Sequence, residues 1–395
     1  MTILERKLIS LHSLVIFRSL LYDPVIKRLS ALLEAGGDTI ETIDKYAGLA
    51  AELFMKTENL SEYVLKCVLE DENVYIVKRA QGENISDEIE NCLNRELAIL
   101  EDIALIQSKE IIAKIEYDAN LPEWKTEKLD FEKAYRKRLN NIAAVGYGVF
   151  SKHSSFRLKD EELVPVKSTD PVRLSDFRGY EQQRDMVVKN TLALLQGKPA
   201  ANVLLYGDAG TGKSSTVKAI VNEYHAKGLR LIEISKKQVA HISGVMEKLK
   251  KNPLKFILFI DDLSFANEND DLYELKAALE GSVSAKSLNT AIYATSNRRH
   301  LIKETFSDRQ GDEVHRNETM QELLSLSGRF GLRVGFMAPA KGEYLKIVHD
   351  LKDMYDVDID DEELNLLAEQ YAFGGRSPRV ARQLMEHLKS IEKQD

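Results

Sequence analysis

Apolar residues in the second half of the chain occur in short, nearly continuous runs rather than alternating with polar residues. The runs lie at 202–206, 230–234, 256–260, 290–295 and 332–337, and stretches with helical periodicity separate them. Because strands that are buried on both faces read as continuous apolar runs, this order predicts central parallel strands. Helices between successive strands imply right-handed crossovers, and the pattern therefore predicts a doubly wound α/β sheet.

The first part of the chain has helical patterning instead. Apolar residues recur every three or four positions from Ile85 to Leu100, a spacing that predicts a long helix with one buried stripe. A further amphipathic helix is predicted from Leu4 to Leu21. It carries polar residues, and no small-residue cleavage site follows it, so neither a signal peptide nor a membrane span is predicted.

These patterns divide the chain into four segments. Residues 1–145 are predicted to form a mostly helical N-terminal domain, and 146–173, rich in glycine and serine, an extended linker. Residues 174–338 are predicted to form the α/β domain and 339–395 a small helical lid. Two helix starts are expected in the lid, at an Asp360 cap and at a Ser377 cap that precedes a proline.

Composition narrows the class of protein. A chain of 395 residues can form two or three domains, and its net charge of −8 argues against a general nucleic-acid coat. The two cysteines, Cys67 and Cys92, lack metal-ligand spacing. They predict a reducing, cytoplasmic location with both thiols buried as small apolar groups.

A glycine-rich segment follows the first predicted strand directly and precedes a predicted helix. It has the pattern G-x-x-x-x-G-K-S, and we name it the P-loop; its residues are Gly207, Asp208, Ala209, Gly210, Thr211, Gly212, Lys213 and Ser214. Glycines let the backbone curl so that its N–H groups face phosphate oxygens, and the helix N-terminus adds positive charge. Lys213 would reach the β- and γ-phosphates, and the Ser214 hydroxyl would hold Mg²⁺.

Polar residues also end two later strands. Asp261 and Asp262 follow the run at 256–260, and Asn297 follows the run at 290–295. Asp261 is predicted to hold Mg²⁺, Asp262 to polarise the attacking water, and Asn297 to orient that water and sense the γ-phosphate. The alternative is that Asp262 and Asn297 are plain turn residues after strands.

Two arginines could complete a phosphate site. Arg329 precedes the last strand and could supply charge to the nucleotide of a neighbouring subunit, or it could be a surface or ion-paired residue. Arg379 lies in the first turn of the helix that opens at Ser377 and could reach the γ-phosphate from the lid. Arg376 and Arg382 are expected to face solvent or to pair with acidic neighbours.

This ordered set of motifs resembles the AAA+ ATPases over about residues 174–390. Within that clan the chain is most similar to a bacterial family of uncharacterised AAA+ ATP-binding proteins, through the stretches at 210–215, 259–265, 293–301 and 325–332. The resemblance implies a parallel AAA+ sheet flanked by helices, with ATP and Mg²⁺ as ligands and ATP hydrolysis as the activity.

The resemblance also implies roles for single residues. The P-loop matches Walker A and extends to Ser215, and Asp261 with Asp262 matches the end of Walker B. Asn297 matches sensor 1, and Arg379 matches sensor 2. Arg329 matches an arginine finger that acts in trans within a ring or arc of subunits. Phe177 and Tyr180 lie in a stretch similar to the segment that usually packs near adenine.

The sequence departs from the AAA+ pattern at two positions. Asp262 stands where an Asp-Glu pair is usual, and its side chain reaches about 1.5 Å less than that of glutamate. Gly328 precedes the candidate finger where an acidic residue is more frequent. Catalysis is therefore expected to be slow unless the backbone lies closer to the nucleotide.

The sequence leaves three functions open. The first is an ATP-hydrolysing remodeller whose protein partner binds the N-terminal domain. The second is an ATP-dependent switch or loader with little turnover of its own, and the third is a nucleic-acid motor. Nucleic acid could contact the basic cluster around Arg136 or the trio Arg298, Arg299 and His300. A solvated helix face and a brace for the nucleotide site are the favoured interpretations of these two groups.

Overall fold

The computed structural model describes residues 1–35, 39–113, 115, 120–168, 170–263, 274–279, 289–297, 326 and 328–392. The chain divides into two compact units, Met1–Lys152 and His153–Asp395. Among the described residues, no helix combines the length and the apolar character that crossing a bilayer requires.

The first unit is built from helices. Their bounds are Ile3–His12 (α1), Pro24–Leu33 (α2), Thr39–Phe54 (α3), Leu60–Glu70 (α4), Val74–Ala80 (α5), Asp87–Ala104 (α6), Ser108–Ile112 (α7), Phe131–Asn140 (α8), Ile142–Val145 (α9) and Val149–Lys152 (α10). The long helix predicted around Ile85–Leu100 is confirmed as α6. Its core-facing residues include Leu93, Leu97 and Leu100, which are fully or almost fully buried.

The helix predicted to reach Leu21 ends at His12, which corrects that expectation. The reason is a tertiary contact, because the backbone N–H groups of Val15, Ile16 and Phe17 donate to the carboxylate of Glu96 in α6. In a continued helix these N–H groups would donate to backbone carbonyl oxygens four residues earlier. They donate to the carboxylate instead, and the helix ends. Val15 is 67% exposed, although the periodicity places it on the buried face.

Aromatic residues form the core of the first unit. Tyr46 stacks on Trp124 with 5.0 Å between ring centroids, and Phe17 meets Tyr135 edge-on at 5.6 Å. In the basic cluster of α8, Arg136 pairs with a carboxylate of α6 at 2.5 Å. This pairing within the unit accounts for that arginine without a nucleic-acid ligand.

The second unit contains a seven-stranded sheet in the order β2-β1-β4-β5-β6-β3-β7. Its strands are Ser155–Lys159 (β1), Glu162–Pro165 (β2), Val203–Gly207 (β3), Leu229–Glu233 (β4), Lys255–Ile260 (β5), Thr290–Ser296 (β6) and Leu332–Phe336 (β7). The pair β1–β2 is antiparallel, and the other pairings between these strands are parallel. The predicted α/β class and all five strands are confirmed, but the strand at 332–337, predicted to be central, is β7 at the edge of the sheet.

The segment 146–173, predicted to be an extended linker, contains the hairpin of β1 and β2 instead. Asp160 and Glu161 form its turn with φ values of 46° and 64°, the left-handed geometry that joins two strands tightly. Phe156 and Leu158 of β1 are buried, and β1 lies between β4 and the edge strand β2. The prediction of a linker is wrong because it relied on the glycine and serine content of the segment. The short alternation of apolar residues in it was given too little weight.

Helices cover the sheet and build the lid. The helices around the sheet are Glu181–Leu195 (α11), Lys213–Tyr224 (α12) and Ile242–Leu249 (α13), and residues 274–279 are also helical. The lid consists of Lys341–Tyr355 (α14), Asp361–Tyr371 (α15) and Pro378–Glu392 (α16). Both predicted caps are present, since Asp360 accepts bonds from two backbone N–H groups of α15 and Ser377 Oγ accepts one from α16.

Candidate nucleotide-binding site

The P-loop connects the end of β3 to the start of α12. The strand ends at Gly207 and the helix begins at Lys213, as the sequence predicts. Gly212 has a φ of 89°, a left-handed conformation that a side chain disfavours, and it directs the chain into the helix. The P-loop therefore ends at a helix N-terminus, where backbone N–H groups are available to an anion.

Lys213 is buried beneath the P-loop. Its side chain is 5% exposed, and Nζ donates to the carbonyl oxygens of Gly207 at 3.1 Å and Asp208 at 2.6 Å. Burial lowers the pKa of Lys213, and the nearby carboxylates of Asp208 and Asp261 oppose that change. An ammonium that has already lost most of its water can exchange these carbonyl oxygens for phosphate oxygens at little further cost of desolvation.

Asp261 lies where three strands bring their carboxyl ends together. The sheet order β5-β6-β3 places the P-loop, Asp261 and Asn297 at one edge. The Ser214 hydroxyl and the Thr295 hydroxyl each donate to Asp261 Oδ1 at 2.6 Å. A serine hydroxyl beside a carboxylate is the hard oxygen donor set that Mg²⁺ takes together with phosphate and water.

Asp262 is held in a defined conformation by its neighbours. Its φ is 53°, and its backbone N–H donates to Thr295 Oγ1 at 2.9 Å. Asn297 Nδ2 donates to Asp262 Oδ1 at 3.0 Å, and Lys236 Nζ lies 3.6 Å from Oδ2. The carboxylate remains 57% exposed. Through these contacts the side chains of Asp262 and Asn297 are bonded to each other next to Asp261. Residues that only form a turn are not expected to make such a bond.

The lid reaches the P-loop through α16. The backbone N–H of Arg379 donates to the carbonyl oxygen of Gly210 at 3.1 Å. Arg382 donates to the carbonyl oxygen of Asp176 at 3.2 Å, and Arg376 pairs with Glu369 at 3.2 Å. Of these three arginines, Arg379 is the one whose own backbone touches the P-loop.

A cavity of about 140 Å³ lies between the P-loop and the lid. Its lining includes Phe177, Gly212, Ser215 and Arg379. Phe177 packs so close to Gly212 that a Cβ there would lie 3.7 Å from its ring. The guanidinium of Arg184 lies over the Phe177 ring, 5.4 Å from its centroid. The structure thus brings Phe177 beside Gly212 of the P-loop, where it lines the same cavity as Ser215.

Tyr180 does not line that cavity. It stacks on Phe336 with 5.3 Å between ring centroids, and its hydroxyl donates to the carbonyl oxygen of Met337. Burial raises the pKa of Tyr180 to about 12. Tyr180 lines a separate cavity of about 440 Å³ beside α14. The role near adenine predicted for Phe177 and Tyr180 stays a prediction, and the two side chains line different cavities.

Arg329 is placed beside another segment of its own chain. Its Nη1 donates to the carbonyl oxygen of Lys276 at 3.3 Å, in the helical stretch 274–279. This contact neither tests nor requires a role in trans. Arg298, Arg299 and His300 lie outside the described residues.

Sequence reasoning missed three residues of this site. Thr295 binds both Asp261 and the backbone of Asp262, Lys236 faces Asp262, and Arg184 covers Phe177. For two of them, the sequence contains a pattern that could have predicted their place in the site. Thr295 lies at the end of β6 and Lys236 follows β4, and polar residues at the carboxyl ends of neighbouring parallel strands converge on one edge.

Comparison with curated proteins gives two relatives. The ATP-dependent zinc metalloprotease FtsH of Lachnoclostridium phytofermentans is 28% identical over 251 residues, which cover 56% of this chain and 41% of that protein. The proteasome-activating nucleotidase of Methanocaldococcus jannaschii is 27% identical over 148 residues, 34% of each chain. This chain therefore spans less than half the length of either relative.

Comparison with solved structures finds similar chains at low identity. The Holliday junction branch migration motor RuvB of Thermotoga maritima is 18% identical with a TM-score of 0.37, over 54% of this chain and 63% of that chain. The AAA domain of FIGL-1 in complex with ADP is 19% identical with a TM-score of 0.39, over 55% of this chain and 73% of that chain.

A family model covers the second unit apart from its last three residues. The model, described as a protein of unknown function, DUF815, matches residues 151–392, more than half of the chain. Its start near residue 151 agrees with the division of the structure after Lys152. The chain therefore belongs to the DUF815 family, and the match covers the unit that holds the parallel sheet and the P-loop.

Proposed function

We propose that this protein binds Mg-ATP at the P-loop and hydrolyses it. One observation carries the proposal: Ser214, Asp261, Asp262 and Asn297 form a continuous chain of contacts at the carboxyl edge of the sheet, beside the buried Lys213. A structural turn does not require a hydroxyl, two carboxylates, an amide and a buried ammonium in one place. A triphosphate with its metal requires each of them.

Each residue then has a defined task. Lys213 binds the phosphates in place of the two carbonyl oxygens. Ser214 and Asp261 would hold Mg²⁺, whose charge would offset the charge that develops on the phosphates. Asp262 accepts a hydrogen bond from the attacking water, and Asn297 fixes the orientation of that carboxylate. Phe177 and Ser215 contact the base side of the nucleotide, and Arg379 adds charge from the lid.

A specific contact favours the switch as a second candidate. The Asp262 carboxylate is occupied by Asn297 on one oxygen and faces Lys236 on the other. A carboxylate engaged in this way is a poor acceptor for water until one partner moves. Such a protein would bind ATP readily and hydrolyse it only when a partner rearranges the site.

Replacement of Asp262 separates binding from hydrolysis. We expect Asp262→Asn to keep ATP affinity within about threefold and to lower kcat by about 100-fold, because the amide cannot accept a proton from water. Single-turnover assays with radiolabelled ATP would measure both. Asp262→Glu is the matched variant, and it should retain activity if the shorter reach of aspartate is what limits turnover. Full activity in Asp262→Asn would assign the water-activating role to another group.

The proposed arrangement of subunits predicts a concentration-dependent ATPase. We propose a homo-oligomer, a ring or an arc, in which Arg329 of one subunit acts at the nucleotide of the next. Turnover per chain should rise with protein concentration, and Arg329→Ala should lower it by at least about 100-fold. The exposed Arg333 on β7 provides the matched control.

Mixing variants tests the role in trans directly. Neither Lys213→Ala nor Arg329→Ala should turn over ATP alone, but a mixture should regain activity, because some interfaces combine an intact P-loop with an intact finger. A mixture that stays inactive, or an Arg329→Ala protein that is active at every concentration, would remove the finger from the proposal.

We propose further that turnover acts on a protein partner bound to the helical first unit, in the reducing cytoplasm. The half-buried Cys67 and Cys92 are both unpaired by disulfides, and burial raises the pKa of Cys67 to about 12, as suits an unreactive thiol. Nucleic acid is the less favoured ligand, since Arg136 already pairs with Glu90. A salt-dependent fall in affinity for DNA or RNA would restore the motor interpretation.

A further inference from the structure

The segment that joins the sheet to the lid is tied to the P-loop. Residues 337–340 connect β7, which ends at Phe336, to α14, which begins at Lys341. We name this segment the hinge. Gly207 and Phe336 are paired in neighbouring strands, and a Cβ on Gly207 would lie 2.2 Å from the Phe336 carbonyl oxygen. The first residue of the P-loop thus lies directly against the start of the hinge.

Asp208 makes this attachment through both its backbone and its side chain. Its N–H donates to the carbonyl oxygen of Phe336 at 3.0 Å, and its Oδ2 accepts the backbone N–H of Ala338 at 2.6 Å. The side chain therefore points to the hinge rather than into the phosphate cradle. This orientation suits its charge, because a carboxylate among the phosphate-binding N–H groups would repel a triphosphate.

Tyr180 holds the same segment from the other side. Its ring stacks on Phe336, and its hydroxyl donates to the carbonyl oxygen of Met337. Successive hinge residues are thus held by Asp208 and by Tyr180, so the hinge is fixed to the P-loop and to the start of α11.

The start of the last lid helix, α16, meets the P-loop two residues further along, at Gly210. The N–H of Arg379 donates to the Gly210 carbonyl oxygen, and a Cβ on Gly210 would lie 2.8 Å from Ser377 Oγ. Asp208 and Gly210 therefore contact the hinge and the start of the last lid helix, α16, so a shift of the loop would reach both.

We propose that Asp208 is a positioning residue that couples the P-loop to the lid through the hinge and thereby sets the place of Arg379. The proposal rests on the function proposed above only for its effect on turnover; the coupling itself concerns this chain's own contacts. Asp208 acts through Ala338 and the lid and does not touch the reacting phosphate.

Turnover of the full chain tests the role. Asp208→Ala removes the bond to Ala338 and should lower kcat by about tenfold, the loss expected for one charge-assisted hydrogen bond. KM for ATP should change by less than about threefold, since the backbone groups of the P-loop remain. Asp208→Asn should restore most of kcat, because its amide oxygen still accepts the Ala338 N–H. Glu343→Ala is the matched control, since Glu343 accepts the N–H of Ala340 but makes no bond to the P-loop.

Hydrogen exchange without nucleotide tests the coupling independently of hydrolysis. In Asp208→Ala the amides of Ala338 and of Arg379 should both exchange about tenfold faster than in the wild type, and in Asp208→Asn neither should change greatly. Faster exchange at Ala338 alone would overturn the coupling to the lid, and unchanged exchange at both would overturn the contact itself.

A loss of kcat equal in Asp208→Ala and Glu343→Ala would reduce Asp208 to a structural role. A wild type that fails to hydrolyse ATP would contradict the proposed function but leave the exchange result decisive for the coupling.

Discussion

Lys213→Ala is expected to lower ATP turnover to background, a loss of about 1000-fold or more. The ammonium is the buried cation of the P-loop, and it is held by two carbonyl oxygens at 3.1 and 2.6 Å that belong to the loop itself. Alanine would remove the cation that faces the β- and γ-phosphates and would also leave those carbonyl oxygens without their donor. The first effect weakens the bound triphosphate and acts more strongly as charge develops in the transition state, whereas the second destabilises the loop without nucleotide.

Calorimetric titration and turnover together would check this result. ATP affinity should fall by about 100-fold, which corresponds to about 2.7 kcal/mol. Lys218→Ala is the matched control, because Lys218 lies in the same helix and pairs at 3.9 Å with Glu233 at the edge of β4. Unfolding of Lys213→Ala would be recognised by circular dichroism. A folded Lys213→Ala protein that still bound ATP with wild-type affinity would refute the P-loop as the nucleotide site.

The sequence was sufficient for the centre of the sheet and for the main residues of the candidate site. Apolar runs define β3 to β7 within one or two residues, and for β3 to β6 the reason is that strands buried on both faces read as continuous apolar runs. Asp261 and Asn297 follow from the same rule, since they end neighbouring strands. These features depend on contacts between adjacent residues or on the regular order of a parallel sheet.

The features that sequence reasoning missed depend on contacts between residues distant in the chain. The place of Tyr180 is decided by Phe336 and Met337, more than 150 residues later. Lys236 could not be assigned to the site from the sequence, because only the pairing of β4 with β5 brings it close to Asp262. The apolar periodicity after α1 predicted too long a helix for the same reason. It contains no information about the Glu96 carboxylate of α6, which binds the backbone there.

That carboxylate supports the second prediction, in the first unit. Glu96 is fully buried, and its two oxygens accept the N–H groups of Val15 at 2.7 Å, Ile16 at 3.0 and 3.2 Å, and Phe17 at 3.0 Å. Glu96→Leu would leave the buried N–H groups of Ile16 and Phe17 without an acceptor, at a cost of about 1–3 kcal/mol for each, and would also remove the part-buried bond of Val15. With partial relaxation of the 14–17 segment, we expect a loss of about 4 kcal/mol in the free energy of unfolding.

Urea unfolding followed by tryptophan fluorescence would measure this loss selectively. Trp124 is the only tryptophan of the chain and is buried in the first unit, where its indole N–H donates to the carbonyl oxygen of Ile106. Its emission therefore reports on that unit and not on the nucleotide-binding unit. Glu88→Gln, at an exposed position of the same helix, should change the unfolding free energy by less than about 0.5 kcal/mol.

Glu96→Gln distinguishes the hydrogen bonds from simple packing. Glutamine has the same size but keeps one acceptor oxygen and turns an NH₂ group towards backbone donors, so we expect a loss of about 2 kcal/mol, between the wild type and Glu96→Leu. If packing alone mattered, glutamine would be as stable as the wild type. If Glu96→Leu unfolded at the wild-type urea concentration, the segment after α1 would be held by its buried apolar residues Leu14 and Phe17 rather than by the carboxylate. The graded order of the three proteins is thus the result that assigns the early end of α1 to Glu96.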